Sequence, residues 1–268
     1  MNIRTFASQS KRTNGKQSPS RDNRTPCPTG SGIPDCSVNR PLQRRWQSRF
    51  TRKQRTADFS HTQPTISRAE QDQLLRQEAL TQAQQGHFDI AVALFSELIE
   101  RYPNSASDYS NRGLVYFQSG QLEAAIEDYN RAIELNPQLD SAYNNRANYY
   151  AAQGQFLEAI LDYDVALDLN PANVRVWINQ GITFRELEMY DRALESFELA
   201  LCLGRLEGHI YAERGRTYHL RGDWNCAVGD YHRAIEALPE TKGQSHHPSA
   251  RLRHQVESWM GELLYPFA

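Results

Sequence analysis

Between residues 70 and 241 the apolar positions of the chain return every 34 residues. The rings Tyr109, Tyr143, Trp177 and Tyr211 stand 34 apart, and the small residues Gly113, Ala147, Gly181 and Gly215 follow them by four. Tyr116, Tyr150, Phe184 and Tyr218 come three further on. The later half of each period holds Ala125, Ala159, Ala193 and Ala227, then Tyr129, Tyr163, Phe197 and Tyr231, then Ala132, Ala166, Ala200 and Ala234. Offsets of three and four within a half mark one face of a helix. Gly86, Gly120, Gly154 and Gly222 interrupt the pattern between halves, where a turn is expected. Pro137, Pro171 and Pro239 close three periods, because proline cannot continue a helix. Leu75, Ala79, Gly86, Ala91, Phe95 and Pro103 form a degenerate first copy. The pattern predicts five helix–turn–helix units, at 72–105, 106–139, 140–173, 174–207 and 208–241. A ring facing Gly or Ala predicts close approach of the two helices. A hairpin with one face uncovered predicts stacking on the next.

The fourth unit breaks the pattern, with Glu188 in the place of the turn glycine and Arg205 in the place of the closing proline. Gly204 and Gly208 flank that connection and are expected to absorb the change in a looser junction. Beyond Pro239 a polar run interrupts the repeat. Residues 248–264 then read as one more helix, with Leu252, Val256, Trp259 and Leu263 on one face. A stack needs a cover with a polar outer side, so this is the expected capping helix, anchored by Trp259.

Charge divides the chain in two. The formal net charge of −2 hides about +10 over residues 1–60 and about −12 over the remainder, the pattern of a basic tail on an acidic domain. Residues 1–66 carry six prolines, many polar residues and no apolar periodicity, so a disordered basic tail is expected there. Within it, residues 40–55 hold seven basic side chains, and Leu42, Trp46 and Phe50 fall four apart. With Arg44, Arg45 and Arg49 around Trp46 and Phe50, this composition suits an anionic membrane surface or RNA phosphates; an unstructured polycationic linker is the plainer reading. The stretch before Asp22 has no acid and loosely fits a plastid or mitochondrial transit peptide. A disordered extension or a start assigned too far upstream fits it as well. No apolar core of a secretory signal and no run near the ~20 residues of a membrane span occur. The expectation is a soluble protein of the cytoplasm or of an organelle stroma or matrix.

Catalytic signatures are missing from the sequence: no phosphate-binding glycine loop, no H-E-x-x-H, no G-x-S-x-G and no C-x-x-C. Cys27 and Cys36 lack the tight spacing of zinc ligands. Neither a cofactor nor a metal is expected, and no enzymatic activity. Comparing the copies adds a structural expectation. Arg112, Arg146 and Arg214 are each followed sixteen residues later by Asp128, Asp162 and Asp230, while the copies with Glu78 and Gln180 have Leu94 and Ser196 instead. Joint presence and joint absence predict an Arg–Asp bridge between the helices of a unit.

The segment Tyr109-Ser-Asn-Arg-Gly-Leu-Val-Tyr116, with Gly120, Ala125, Tyr129, Ala132 and Asn136-Pro137, resembles a tetratricopeptide repeat, as do its copies. The resemblance implies an all-α, right-handed superhelical solenoid of five units with a C-terminal capping helix, preceded by the tail. It also implies a protein–protein interaction scaffold or adaptor whose first helices line a concave groove for a partner peptide. Mapped onto this chain, the groove residues are Asn111, Asn144, Asn145, Asn148, Arg175, Asn179, Arg185, Glu213 and Arg216. The ladder Asn111, Asn145, Asn179 is similar to ladders with which relatives grip a peptide backbone; pairing with neighbouring helices is the structural alternative. The carboxylate clamp of chaperone-binding relatives would match Asn148 and Asn179, but its cations fall on Asn144, His209 and Glu213, so no chaperone C-terminal tail is expected as partner. The alternative function is a tethering or assembly factor whose segment 40–55 holds anionic membrane or RNA while the repeats recruit a protein.

Overall fold

The computed structural model describes residues 67–239 and 248–264, and all described secondary structure is helical. The basic tail, with Arg44, Arg45, Trp46, Arg49 and Phe50, lies outside the described residues. Helices α1 (Arg68–Gln85) and α2 (Phe88–Arg101) form the first hairpin, followed by α3 (Ala106–Ser119) with α4 (Leu122–Leu135) and α5 (Asp140–Ala152) with α6 (Phe156–Leu169). The pairs α7 (Val174–Glu186) with α8 (Tyr190–Cys202) and α9 (Glu207–Arg221) with α10 (Trp224–Ala237) come next, and α11 (Pro248–Leu264) closes the series. Each helix packs on its sequence neighbours, and α3 on α5, α5 on α7 and α7 on α9 also touch. The first helices therefore form a continuous inner row, and the described residues make a solenoid of five stacked hairpins with a capping helix.

The start of the stack is set by local chemistry. The Ser67 hydroxyl accepts from the Glu70 backbone N–H at 3.2 Å, and the Glu70 carboxylate accepts from the Ser67 N–H at 2.8 Å, a reciprocal cap that satisfies two otherwise orphan donors. Those bonds hold the Glu70 carboxyl below its ordinary range. Arg76 of α1 then makes a two-pronged bond to the fully buried Asp108 of α3, at 2.7 and 2.8 Å, which locks the degenerate first hairpin to the second.

Within each hairpin a ring presses on a position with little or no side chain. A Cβ placed on Gly113, Gly181 or Gly215 would meet Tyr129, Phe197 or Tyr231 at 2.8, 2.7 and 2.8 Å, below ordinary contact. Those three rings and Tyr163 are almost entirely buried, as are the alanines four residues before them. Tyr163 donates to Asn148 Oδ1 at 2.7 Å. Tyr129, by contrast, has a buried hydroxyl with no partner among the described residues, and burial raises its pKa far above the phenol range.

Two expectations at the fourth unit are corrected. Glu188 adopts φ +60°, the left-handed conformation that Gly120 and Gly222 take at the matching turns, so the turn is kept at a conformational cost. The following junction is not loose, since α8 packs on α9 as extensively as α6 on α7. Gly204 (φ +63°) and Leu206 (φ +57°) take up the backbone change. Gly208 does not; it lies inside α9, where a Cβ would meet Leu238 at 2.9 Å. At the far end α11 covers the last hairpin with Val256 fully buried and Leu252, Trp259 and Leu263 against it, and Arg253 donates to the carbonyls of Ile235 and Leu238 at 3.0 and 3.1 Å.

The ring contact yields a quantitative expectation. Gly181→Val should lower unfolding stability by about 2 kcal/mol or more through overpacking against Phe197, measured by urea denaturation. Tyr129→Phe should be neutral or slightly stabilising, because it removes a buried hydroxyl without a partner.

Candidate functional site: the inner row of first helices

Polar seams hold the hairpins in register and determine which side chains the inner row can offer. Arg112 donates from Nε and Nη2 to Asp128, both at 2.8 Å. Arg146 does the same to Asp162 at 2.7 and 2.9 Å, and Arg214 to Asp230 at 2.6 and 3.0 Å. Each guanidinium also lies between two rings of its own helix: Arg146 sits 5.8 Å from the Tyr143 ring and 5.9 Å from that of Tyr150, with Arg112 and Arg214 placed alike. A contact in the opposite direction has no counterpart in the sequence pattern. Arg112 Nη1 reaches Ser96 at 3.0 Å and Arg146 Nη1 reaches Asn130 at 2.8 Å, both on the second helix of the preceding unit. One side chain thus ties its own hairpin to the previous one. The fourth unit keeps the same wiring without a cation: Gln180 donates to Asp164 at 2.7 Å and accepts from the Ser196 hydroxyl at 3.1 Å.

The asparagines on the inner row are partly committed to one another. Asn145 donates to the Ser110 hydroxyl at 3.1 Å, and Asn179 donates to Asn148 and Asn144 at 3.0 and 3.3 Å. A long contact of 3.5 Å joins Asn144 to Asn145. In this register residue i meets residue i−35 of the preceding first helix. The corresponding neighbour of Asn111 is Arg76, which Asp108 already occupies. Asn111 is therefore half-buried with no side-chain hydrogen bond among the described residues.

Charged members of the predicted set divide differently. Arg185 is only 8% exposed and donates to Glu213 Oε2 at 2.6 Å, so the two consume each other across α7 and α9 and neither is a free groove charge. Arg216 lies 5.1 Å from the Trp259 ring and contacts Glu262 at 3.4 Å, which places it beneath the capping helix. Arg175 is exposed, with no ion pair among the described residues. The open chemistry of the row is thus amide groups at Asn111, Asn148 and Asn179 with a cation at Arg175.

Family models match three stretches: one described as TPR repeat at residues 113–154, and two described as tetratricopeptide repeat at 75–105 and 141–173. The chain carries tetratricopeptide repeats. The repeats from residue 174 on, outside those stretches, show the same hairpin geometry over the described residues 174–239. Solved structures with this fold include TTC0263, a thermophilic TPR protein in Thermus thermophilus, at 19% identity, covering 70% of this chain and 98% of that one with a TM-score of 0.60. They also include pilF of Pseudomonas aeruginosa, at 19% identity, 75% and 95% coverage and a TM-score of 0.59. MamA matches at 21% identity, 59% and 92% coverage and a TM-score of 0.51. At these identities the likeness is one of fold. No curated protein matches the chain. Among the described residues no helix of this repeat protein is long and apolar enough to cross a membrane, and no cluster of three or more His, Cys, Asp or Glu is placed to hold a metal ion.

Because the Gln180–Ser196 pair is a natural neutral version of the bridge within a hairpin, the other units can be converted to it. Asp162→Ser alone should cost about 2–3 kcal/mol by stranding Arg146, whereas Arg146→Gln combined with Asp162→Ser should cost no more than about 1 kcal/mol, read by denaturant titration. Two histidines carry a pH dependence. Burial lowers the pKa of both His209 and His219, and Arg216 lowers that of His219 further. His219 Nδ1 also lies 3.2 Å from the Tyr231 hydroxyl. The unfolded chain binds protons near pH 6.5 that the folded chain resists, so stability should fall as pH drops below about 6.5. Replacing both histidines with glutamine should flatten that decline in melting temperature.

Proposed function

We propose that the repeat stack is a non-enzymatic scaffold that holds an extended partner peptide along its inner row of first helices. The tetratricopeptide repeats support a protein-interaction scaffold in general terms; the peptide mode is the finer reading. The observation that carries it is the unspent hydrogen-bonding capacity of the row. Asn111 has both its donor and its acceptor free of partners among the described residues, Asn148 keeps its amide N–H groups, and Asn179 keeps its carbonyl. An amide both donates and accepts, so a line of them can pair with a peptide backbone while reading little of its sequence. Asn148 and Asn179 are held in place by the bond between them, so little ordering cost remains at those two positions. Arg175, next along the row, favours a peptide that places an acidic side chain opposite it.

The test is binding of the full chain to an array of extended peptides of varied sequence, with the affinity of any hit measured in solution. Asn111→Ala together with Asn179→Ala should weaken a hit about tenfold or more, equivalent to ~1.4 kcal/mol, while Glu127→Ala on the outer side of α4 leaves it unchanged. Equal affinity of wild type and the double variant would remove the inner row as the site.

A further inference from the structure

The outer side of α6 departs from that of every other second helix. Leu157, Leu161 and Val165, four residues apart, are 69%, 66% and 37% exposed. At the equivalent positions α4 carries Glu123, Glu127 and Arg131, and α8 carries Asp191, Glu195 and Leu199. Nothing in the fold requires leucine there, because α4 and α8 build the same hairpin with acids in those places. The stripe is also bordered by acids. Glu158 and Asp168 flank it on α6, and Glu123, Glu127 and Glu195 stand on the second helices of the units before and after. All five are exposed and none forms an ion pair among the described residues, whereas the exposed cations of those two helices, Arg131 and Arg192, lie against Glu134 and the Phe184 ring. An apolar ridge inside an acidic frame selects a basic amphipathic helix.

We infer that the occupant is the chain's own segment 40–55, docked on α6 with Leu42, Trp46 and Phe50 over Leu157, Leu161 and Val165. Three properties of the sequence argue for it. The spacing is the same on both sides, i, i+4, i+8, and rows of that spacing interdigitate when helices pack. The charges are complementary, seven basic side chains in sixteen residues against the five acids of the frame. The distance is within reach: residues 56–66 join the segment to Ser67 and span roughly 40 Å when extended, while α6 lies two hairpins along, about 20–30 Å at the spacing of packed helices. Tethering makes the contact intramolecular, with an effective concentration on the order of millimolar, so a modest patch suffices. The basic tail is then a part of the scaffold's outer surface rather than a free polycation.

Limited trypsin digestion of the full chain tests this. Residues 41–55 hold six tryptic sites, and Arg21 and Arg24 upstream serve as an internal reference. Initial cleavage rates by mass spectrometry should be about tenfold or more slower within that segment than in the variant Leu157→Glu/Leu161→Glu, because protection follows the population of the open form. That variant copies the residues of α4 and should melt at the wild-type temperature. Trp46→Ser/Phe50→Ser, which leaves the repeat stack untouched, should release the segment to the same extent. Protection that does not change with protein concentration supports the intramolecular contact. Equal rates in wild type and both variants would overturn the inference. So would protection that grows with concentration, which would assign the stripe to the segment of a second copy.

Discussion

Everything else in this molecule depends on a ring seated against a position with almost no side chain. The contact recurs at Gly113 with Tyr129, Gly181 with Phe197 and Gly215 with Tyr231, at separations that leave no room for a methyl group. It sets how closely the two helices of a hairpin approach, and that distance decides which side chains can reach across. With the helices this close, or nearly so at Ala147, a guanidinium on the first spans to a carboxylate on the second while keeping both flanking rings in contact. The inner row follows in turn, because hairpins of equal thickness stack at an equal step and bring each first helix against the next.

The seams show how a charged network can be structural without being uniform. Arg112, Arg146 and Arg214 bind their aspartates two-pronged, and the first two also reach back to the preceding hairpin. Gln180 fills the same place without a cation, accepting from the Ser196 hydroxyl within its hairpin and donating to Asp164 of the preceding one. A cation with a carboxylate and an amide with a hydroxyl are thus exchangeable solutions to one geometric requirement, provided both ends change together. Among the described residues Arg76, Arg112, Arg146, Arg185 and Arg214 are engaged with carboxylates between helices, so their charges are not available to partners.

What the sequence made legible was whatever repeats within a unit. The 34-residue period, the ring-and-glycine contact and the sixteen-residue Arg–Asp spacing all lie inside one hairpin, where helix periodicity alone relates the residues. What it did not make legible was whatever depends on the rotation from one hairpin to the next. The backward contacts to Ser96 and Asn130, the pairing of Arg185 with Glu213 and the i−35 meetings of the asparagines are of that kind. Glu188 differs for another reason: a residue other than glycine can hold a left-handed turn when both flanking helices are already anchored. The apolar ridge of α6 was within reach of the sequence, since aligning Leu157 and Leu161 with Glu123 and Glu127 exposes it. A helix rich in leucine reads as well buried, and that hides the ridge.

The inner row is the recognition surface on this reading, and the outer side of the stack has a separate role. Hydrogen–deuterium exchange of the full chain, with and without a bound peptide, separates the two most directly. Binding should slow exchange in α3, α5 and α7, around Asn111, Asn148 and Asn179, and leave α4, α6 and α8 unchanged. Slowed exchange confined to the second helices would contradict this assignment, because it would place the partner on the face opposite the amide row.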